Sequence, residues 1–593
     1  MGTPRYCHWP DMSRRILLPL LSAVLVTACS GPEDEAPAAA VLRLSNEFVA
    51  GYYTQFPEEI YEVGYPDGPR DRFGDHGPNA MARWDAQVDA WLAALDAIDA
   101  ESLSDASAVL TWVFTRERLQ AIVDRRVCRT ELWNVSPTWT GWQSSIIATL
   151  AVQNVDNRAA RNAAIDRLAD IDRYIETEIS NLTRGKDAGY LAPASNVSRV
   201  VDQVTALIDT PVDESPFMNP VTRTDDERFA SVYRRVYEDE VRPALVAYRD
   251  FLVDEYPGRD AIGVGANPDG EACYAASVRY WSSLPGSADA IHRTGLTEMS
   301  RVRAEMLGIA ETVFDTDDLE ALAERLRTDP AFLFTSEQDM LDYVSAAVDR
   351  SRAAIGDWVG FVPDAALVIV PSPAYEQDSG GGFYSAGSAD GAQPGRYQVG
   401  TWNATSISRG AGIEATAFHE SYPGHHLQVS IALLNDGLPP ILRYMYSSGM
   451  AEGWGLYSER LADEMGLYSG DLDRIGMLSN EAFRAARLVV DPGMHVMGWT
   501  RQQAIDYMLQ HTTENPASVA SQVDRYAAVP GQATSYLVGS LEIQRLRRHA
   551  ETLLGERFDI RAFHDRILAN GGVTLPMLQT AVDAWIEEVL AAP

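Results

Sequence analysis

Three of the chain's ten histidines stand within eight residues, at 419, 425 and 426, and a glutamate follows the first of them. The stretch reads His419-Glu420-Ser421-Tyr422-Pro423-Gly424-His425-His426. Imidazoles beside a carboxylate suit a metal-dependent hydrolase: neutral nitrogens hold a cation, and the carboxylate moves the proton of a bound water. In the familiar H-E-x-x-H arrangement, two histidines four apart share one helical face. Position 423 is proline here, so that arrangement fails. Pro423 has no N–H for the carbonyl of His419, and Gly424 bends freely. An unbroken helix gives no compact pair either, since six residues turn it by about 240° and seven raise it by about 10 Å. If Pro423-Gly424 bulges out, His425 takes the second ligand place; a bulge of three residues gives that place to His426. His425 is the favoured partner of His419, with His426 the alternative.

A catalytic zinc takes three protein ligands and leaves one position for water. The third ligand is expected at Glu452, in Gly449-Met450-Ala451-Glu452-Gly453-Trp454-Gly455, 27 residues past His425. Asn435-Asp436-Gly437-Leu438-Pro439-Pro440 supplies the turn between two helices. Glu459, two helical turns beyond Glu452, is placed to orient a ligand histidine. Glu420 is then the general base. The oxyanion of amide hydrolysis needs a donor besides the metal. Tyr536, after the Pro530-Gly531 turn, is one candidate; His495, with Asp491 one helical turn before it, is the other. Arg487 and Arg547 are candidates for holding a substrate carboxylate.

The elements that must position these residues are mostly helical. Apolar residues recur at three and four apart through 79–126 (Met81, Trp84, Val88, Trp91, Leu95), and 141–183, 192–209, 226–255 and 285–312 read the same way. The texture changes near residue 356. Trp358–Val362 and Ala366–Val370 are short β-type runs, and Arg396–Trp402 alternates like a strand. The Gly/Ser/Asp-rich patch 378–395 lies between them. The expectation is a mainly α chain with a small β-sheet just before the histidine motif, with residues 41–355 an N-terminal helical region and 356–593 the catalytic region of one compact unit. The strand at 397–402 is expected to take an extended peptide by edge pairing, under a flap formed by 380–395.

The blocks HESYPGHHLQ, AEGWGLYSERL, VVDPGMHVMGW and GQATSYLVG together resemble the bacterial DUF885 proteins, from about residue 40 to 590. The resemblance implies an exported lipoprotein with a largely helical, zincin-like metallopeptidase architecture. By analogy with helical zinc peptidases, a central cleft between helical halves favours short peptides as substrate. The competing expectations are a non-catalytic zinc-binding lipoprotein, for which Glu420 has no use, and hydrolysis of a non-peptide amide or ester.

Composition narrows the partners. The formal net charge of −35 provides no basic stripe for nucleic acid. No G-x-S-x-G nucleophile elbow, dinucleotide fingerprint or P-loop is found. At the N-terminus, Ser13-Arg14-Arg15 and an apolar run from Ile16 to Val26 lead to Thr27-Ala28-Cys29. This reads as a signal peptide over 1–28 with Met12 the better start, followed by a lipid-bearing Cys29 and a flexible spacer over 29–40. The expected place is the cell envelope, anchored to the outer membrane and facing the periplasm. Cys128 and Cys273 remain in the mature chain, either as a disulfide or as two buried thiols.

Overall fold

The computed structural model describes residues 35–372, 382–389, 391 and 393–592. The leader and Cys29 lie outside this range. Helices dominate, and each periodic segment resolves into helices broken where a cap stops them. The 79–126 pattern becomes Pro78–Asp96 and Ala106–Arg125, because the Asp105 side chain accepts the Ala108 N–H and opens the second helix. Trp84, Val88, Trp91 and Leu95 bury one stripe of the first. The spacer reading over 29–40 is shortened, since the helix Pro37–Gln55 begins inside it.

The sheet has three strands in the order β1–β3–β2, where β1 is Leu367–Pro371, β2 is Gly382–Ser385 and β3 is Gly395–Val399. β1 runs parallel to β3, with Ile369 opposite Tyr397; β2 runs antiparallel, with Tyr384 opposite the same Tyr397. Three expectations are corrected here. Trp358–Val362 is not a strand: the Gly360 and Phe361 N–H groups donate to Asp565 Oδ1, so a side chain takes the donors a ladder needs. β3 is the central strand, so its backbone is paired on both sides and offers no edge to a peptide. Residues 382–385 of the expected flap form β2; residues 380, 381, 390 and 392 of that stretch lie outside the described residues.

The hydrophobic core runs across residue 356. One cluster joins the N-terminal helices to the sheet and the last helices through Phe48, Trp84, Tyr397, Phe418, Trp454 and Trp585. A second joins helix Ala288–Val313 to helix Asp471–His495 through Met299, Val302, Ala485 and Leu488. A third gathers the helices between Trp142 and Asp254, with Phe73, Val135 and Tyr256 packed among them. Cys128 and Cys273 form a disulfide with Cα atoms 4.6 Å apart, tying the end of the third long helix to helix Gly270–Ser282. Helix Asp471–His495 is buried along most of its length, as a helix does when packed on all sides. Among the described residues, no helix is long and apolar enough to cross a membrane.

Candidate metal centre

The histidine motif straddles a break between two helices. Helix Ile413–Glu420 carries His419 and Glu420 on its last turn, and helix His425–Leu433 starts at His425. The Tyr422–Pro423 peptide between them is cis. The chain doubles back tightly here: the Gly424 N–H donates to the Phe418 carbonyl. A Cβ on Gly424 would lie 1.8 Å from the His419 carbonyl oxygen, so only glycine closes the turn. Trp454 Nε1 donates to the Pro423 carbonyl at 2.8 Å and pins the break from outside.

Helix Ser448–Glu464 brings the second half of the site. Seven residues make nearly two full turns, so Glu452 and Glu459 share one face. They bracket a single imidazole. Glu459 Oε1 lies 2.9 Å from His419 Nδ1, and Glu452 Oε2 lies 3.6 Å from His419 Nε2. Gly455, between them, gives the ring its place: a Cβ there would stand 2.6 Å from His419 Cε1 and Nε2. His425 Nε2 is 3.5 Å from the same Glu452 oxygen, and the two imidazoles meet edge to face with centroids 4.7 Å apart.

One ligand atom from each of His419, His425 and Glu452 lies within 4.8 Å of the others. The separations of 3.5 and 3.6 Å are long for charge-assisted hydrogen bonds, which close to about 2.8 Å. They match the edge of a coordination tetrahedron, about 3.4 Å for bonds of 2.0–2.1 Å. Glu459 accepts from Nδ1–H of His419, which turns the Nε2 lone pair towards His425 and Glu452. Donor set and spacing therefore suit a divalent ion with its open side on the cleft.

The electrostatics agree. Burial lowers the His419 pKa, but Glu452 and Glu459 outweigh it and raise it to about 9. Glu452 is driven well below the usual carboxylate range against burial, by the two imidazoles of His419 and His425 that face it. Positive charge is favoured at the point where the three meet. Burial raises the Glu420 carboxyl, with His419 and His425 pulling the other way, and the Tyr384 backbone N–H hydrogen-bonds it. Glu420 points into the same cleft without belonging to the trio.

The other expected residues separate. His426 faces away: Nδ1 lies 3.2 Å from Tyr384 Oη and Nε2 lies 3.3 Å from the Ala365 carbonyl. Burial pushes its pKa down to about 4. Tyr536 lines the cleft, with its ring stacked on His419 at 6.4 Å. His495 does not, and its catalytic role is withdrawn. Its Nδ1 accepts the Val264 N–H at 2.9 Å, and Nε2 donates to the Tyr526 carbonyl at 3.1 Å. Its ring stacks on Tyr274, and burial drives its pKa down to about 3. Asp491 Oδ1 lies 3.8 Å from His495 Nε2, beyond hydrogen-bond distance, and its Oδ2 accepts from Tyr274 and from the Gly531 N–H. Arg547 is also withdrawn as a substrate contact, because Glu464 and Glu551 occupy it. Arg487 does line the cleft.

The cleft measures about 2920 Å³ and is lined from both ends of the chain, by Tyr52, Glu62 and Arg118 as well as by Glu420 and Tyr536. The family model described as "bacterial protein of unknown function (DUF885)" matches residues 57–582. The chain belongs to the DUF885 family. Two solved structures share the fold. One is described as a "putative lipoprotein" from Colwellia psychrerythraea, with a TM-score of 0.86 and 23% identity over 93% of this chain and 100% of that one. The other, a "putative lipoprotein of unknown function" from Shewanella oneidensis, has a TM-score of 0.70 and 18% identity over 91% of this chain and 99% of that one. No curated protein matches the chain. In this DUF885 chain, Trp454, Gly455 and Gly424 are the apolar residues that hold the break or the His419 ring in place.

Proposed function

We propose that this DUF885 protein is an exported, lipid-anchored zinc metallopeptidase acting on short peptides. The observation that carries the reading is the trio His419, His425 and Glu452, with each imidazole at tetrahedral-edge distance from one Glu452 oxygen and Glu420 beside the trio. These three side chains would hold the ion, whose chemistry when bound is to acidify a water and polarise the scissile carbonyl. Glu420 takes the proton as the water oxygen adds to the carbonyl carbon. It then hands that proton to the amine nitrogen as the C–N bond breaks, so a carboxylic acid and an amine leave. Burial raises its carboxyl above the ordinary value, which makes it a better proton acceptor than an exposed glutamate. Tyr536 offers its hydroxyl to the oxyanion from beside His419. Glu459 keeps His419 in the tautomer that presents Nε2.

The envelope location rests on the N-terminal motif at Cys29, on the relatives' description as lipoproteins, and on the Cys128–Cys273 bond, which fits an oxidising compartment. The test is metal content and hydrolysis measured on the same sample. The parent should carry close to one zinc per chain and cleave short peptides. Glu420→Gln should keep the metal and lose at least about 100-fold in rate. A Glu420→Gln enzyme as fast as the parent ends the general-base assignment, and a parent without bound metal ends the zinc reading.

A further inference from the structure

Arg487 on helix Asp471–His495 and Arg525 on helix Pro516–Ala528 are 5% and 6% exposed, and both line the cleft that holds Glu420 and Glu452. Their partners are all neutral. Arg487 Nε donates to Tyr526 Oη at 2.8 Å and its Nη2 to Gln522 Oε1 at 3.4 Å. Arg525 Nε donates to the same Gln522 oxygen at 3.1 Å, and its Nη1 to Gln532 Oε1. Neither has a carboxylate within ion-pair distance among the described residues; Glu452 and Asp491 act on the pair from farther away. Among the described residues, Arg487 Nη1 is buried with no hydrogen-bond partner.

Arg167 is also buried without a carboxylate, but its fork is filled by the Arg72 and Pro69 carbonyls and Gln153 Oε1, whereas among the described residues Arg487 Nη1 has no hydrogen-bond acceptor. Arg460 and Arg301 share Glu305 and Glu481, and Arg501 takes Asp524. Carboxylates are abundant, yet two adjacent buried guanidiniums face none. Burying a charge without a counter-ion is costly, and placing like charges together adds to the cost. Burial and the neighbouring Arg487 both pull the Arg525 pKa down. An anion entering the cleft would relieve all of this, and a planar fork is the group that takes a carboxylate with two parallel bonds.

Position decides which anion. The Arg487 guanidinium lies 4.5 Å from the centre of the Tyr536 ring and 4.5 Å from that of Phe483. The Tyr536 ring in turn stacks on His419. One aromatic ring thus separates the unpartnered Nη1 from a candidate ligand imidazole. With 4.5 and 6.4 Å on the two sides of that ring, the guanidinium and the imidazole are at most about 11 Å apart, within reach of a few peptide residues at about 3.5 Å each. We propose that Arg487, with Arg525 beside it and Gln522 aligning both, binds the free C-terminal carboxylate of the substrate, so that the centre releases C-terminal residues. This rests on the metallopeptidase reading and adds direction and substrate class to it.

The test uses the purified, zinc-loaded chain and three peptides: a free acid, its C-terminal amide, and the same amide with a glutamate substituted at the penultimate position. The acid should be cut with a kcat/KM at least about 100-fold above the plain amide, with N-terminal acetylation making no difference. Arg487→Met should lower kcat/KM for the acid, mainly through KM, and shrink the acid-to-amide ratio by at least about 10-fold. Arg487→Lys should restore part of it, since it keeps the charge and loses the fork. The ratio measured on the parent needs no variant, so a misfolded Arg487→Met leaves the test intact. Equal rates on acid and amide overturn the proposal while leaving the hydrolase reading standing. Equal rates on the acid and the glutamate-bearing amide also overturn it, because the anion read is then a side chain. Cleavage of none of the three overturns the peptidase reading and the proposal with it.

Discussion

Both nitrogens of His419 are spoken for: Nδ1 by Glu459 and Nε2 by the point it shares with His425 and Glu452. A carboxylate behind a ligand imidazole fixes its tautomer and raises its basicity, and losing it costs about 10–100-fold in metal affinity. Glu459→Gln keeps the shape and can still accept at Oε1, but it removes the charge. Its zinc affinity, measured by chelator competition, should fall by about 10-fold; an unchanged affinity would make Glu459 a packing residue. At this scale the sequence was legible where spacing alone carries information. His419, Glu420, Glu452 and Glu459 follow from helical periodicity and a kink. It was misleading where a polar residue sat in a suggestive neighbourhood. Asp491 and His495 are one helical turn apart, as expected, yet their partners come from Tyr274, Val264, Gly531 and Tyr526. Those contacts are made across the fold, and no local pattern announces them. The choice between His425 and His426 belongs to the same class, because the residues that occupy His426 lie on β2 and just before β1.

Between elements, the site depends on how closely two helices and a turn approach. Gly455 sits under the His419 ring, and a methyl there must push an imidazole that Glu459 holds from the other side. Overpacking a filled site costs about 1–3 kcal/mol, and part of that is relieved if the ring moves. Gly455→Ala should therefore fold, lose about 1 kcal/mol or more of stability in urea, and retain zinc at least 10-fold more weakly than the parent. Parent-like zinc affinity in a folded Gly455→Ala would show that the ring tolerates displacement. The helices themselves were readable from apolar spacing, with caps such as Asp105 marking the breaks. The strands were harder, because a short apolar run carries no sign of its partner. Ala366–Val370 found β3 as a parallel neighbour, while Trp358–Val362 lost its donors to Asp565, two hundred residues away in sequence. The order β1–β3–β2, which seals the strand expected to bind peptide, is likewise a long-range property.

Across the whole molecule, the same burial that prepares the cleft leaves acids where ionisation is costly. Asp491 is fully buried, and burial pushes its carboxyl up to about 7, with the Tyr274 hydroxyl, the Gly531 N–H and Arg525 pulling it back in part. The ordinary value is 3.8. Between those two values the folded chain keeps a proton that the unfolded chain has already released. More protons bound in the folded state means that stability falls as pH rises through this window. The loss is absent below the unfolded value and complete above the folded one. Asp491→Asn keeps a carbonyl oxygen that can accept from Tyr274 and Gly531, and carries no charge to bury. Relative to the parent it should be close in stability at pH 4 and gain on the order of 2 kcal/mol by pH 8. Other groups titrate over the same range, including Glu59 and Glu178, both raised to about 7 chiefly by burial, so the informative quantity is the difference between variant and parent. Denaturant unfolding of both proteins at pH 4, 6 and 8 measures it. A difference that stays flat across the three would mean that Tyr274, Gly531 and Arg525 fully compensate the buried charge. In that case Arg525 would already have its counter-ion in Asp491, and the demand for a substrate carboxylate would fall on Arg487 alone.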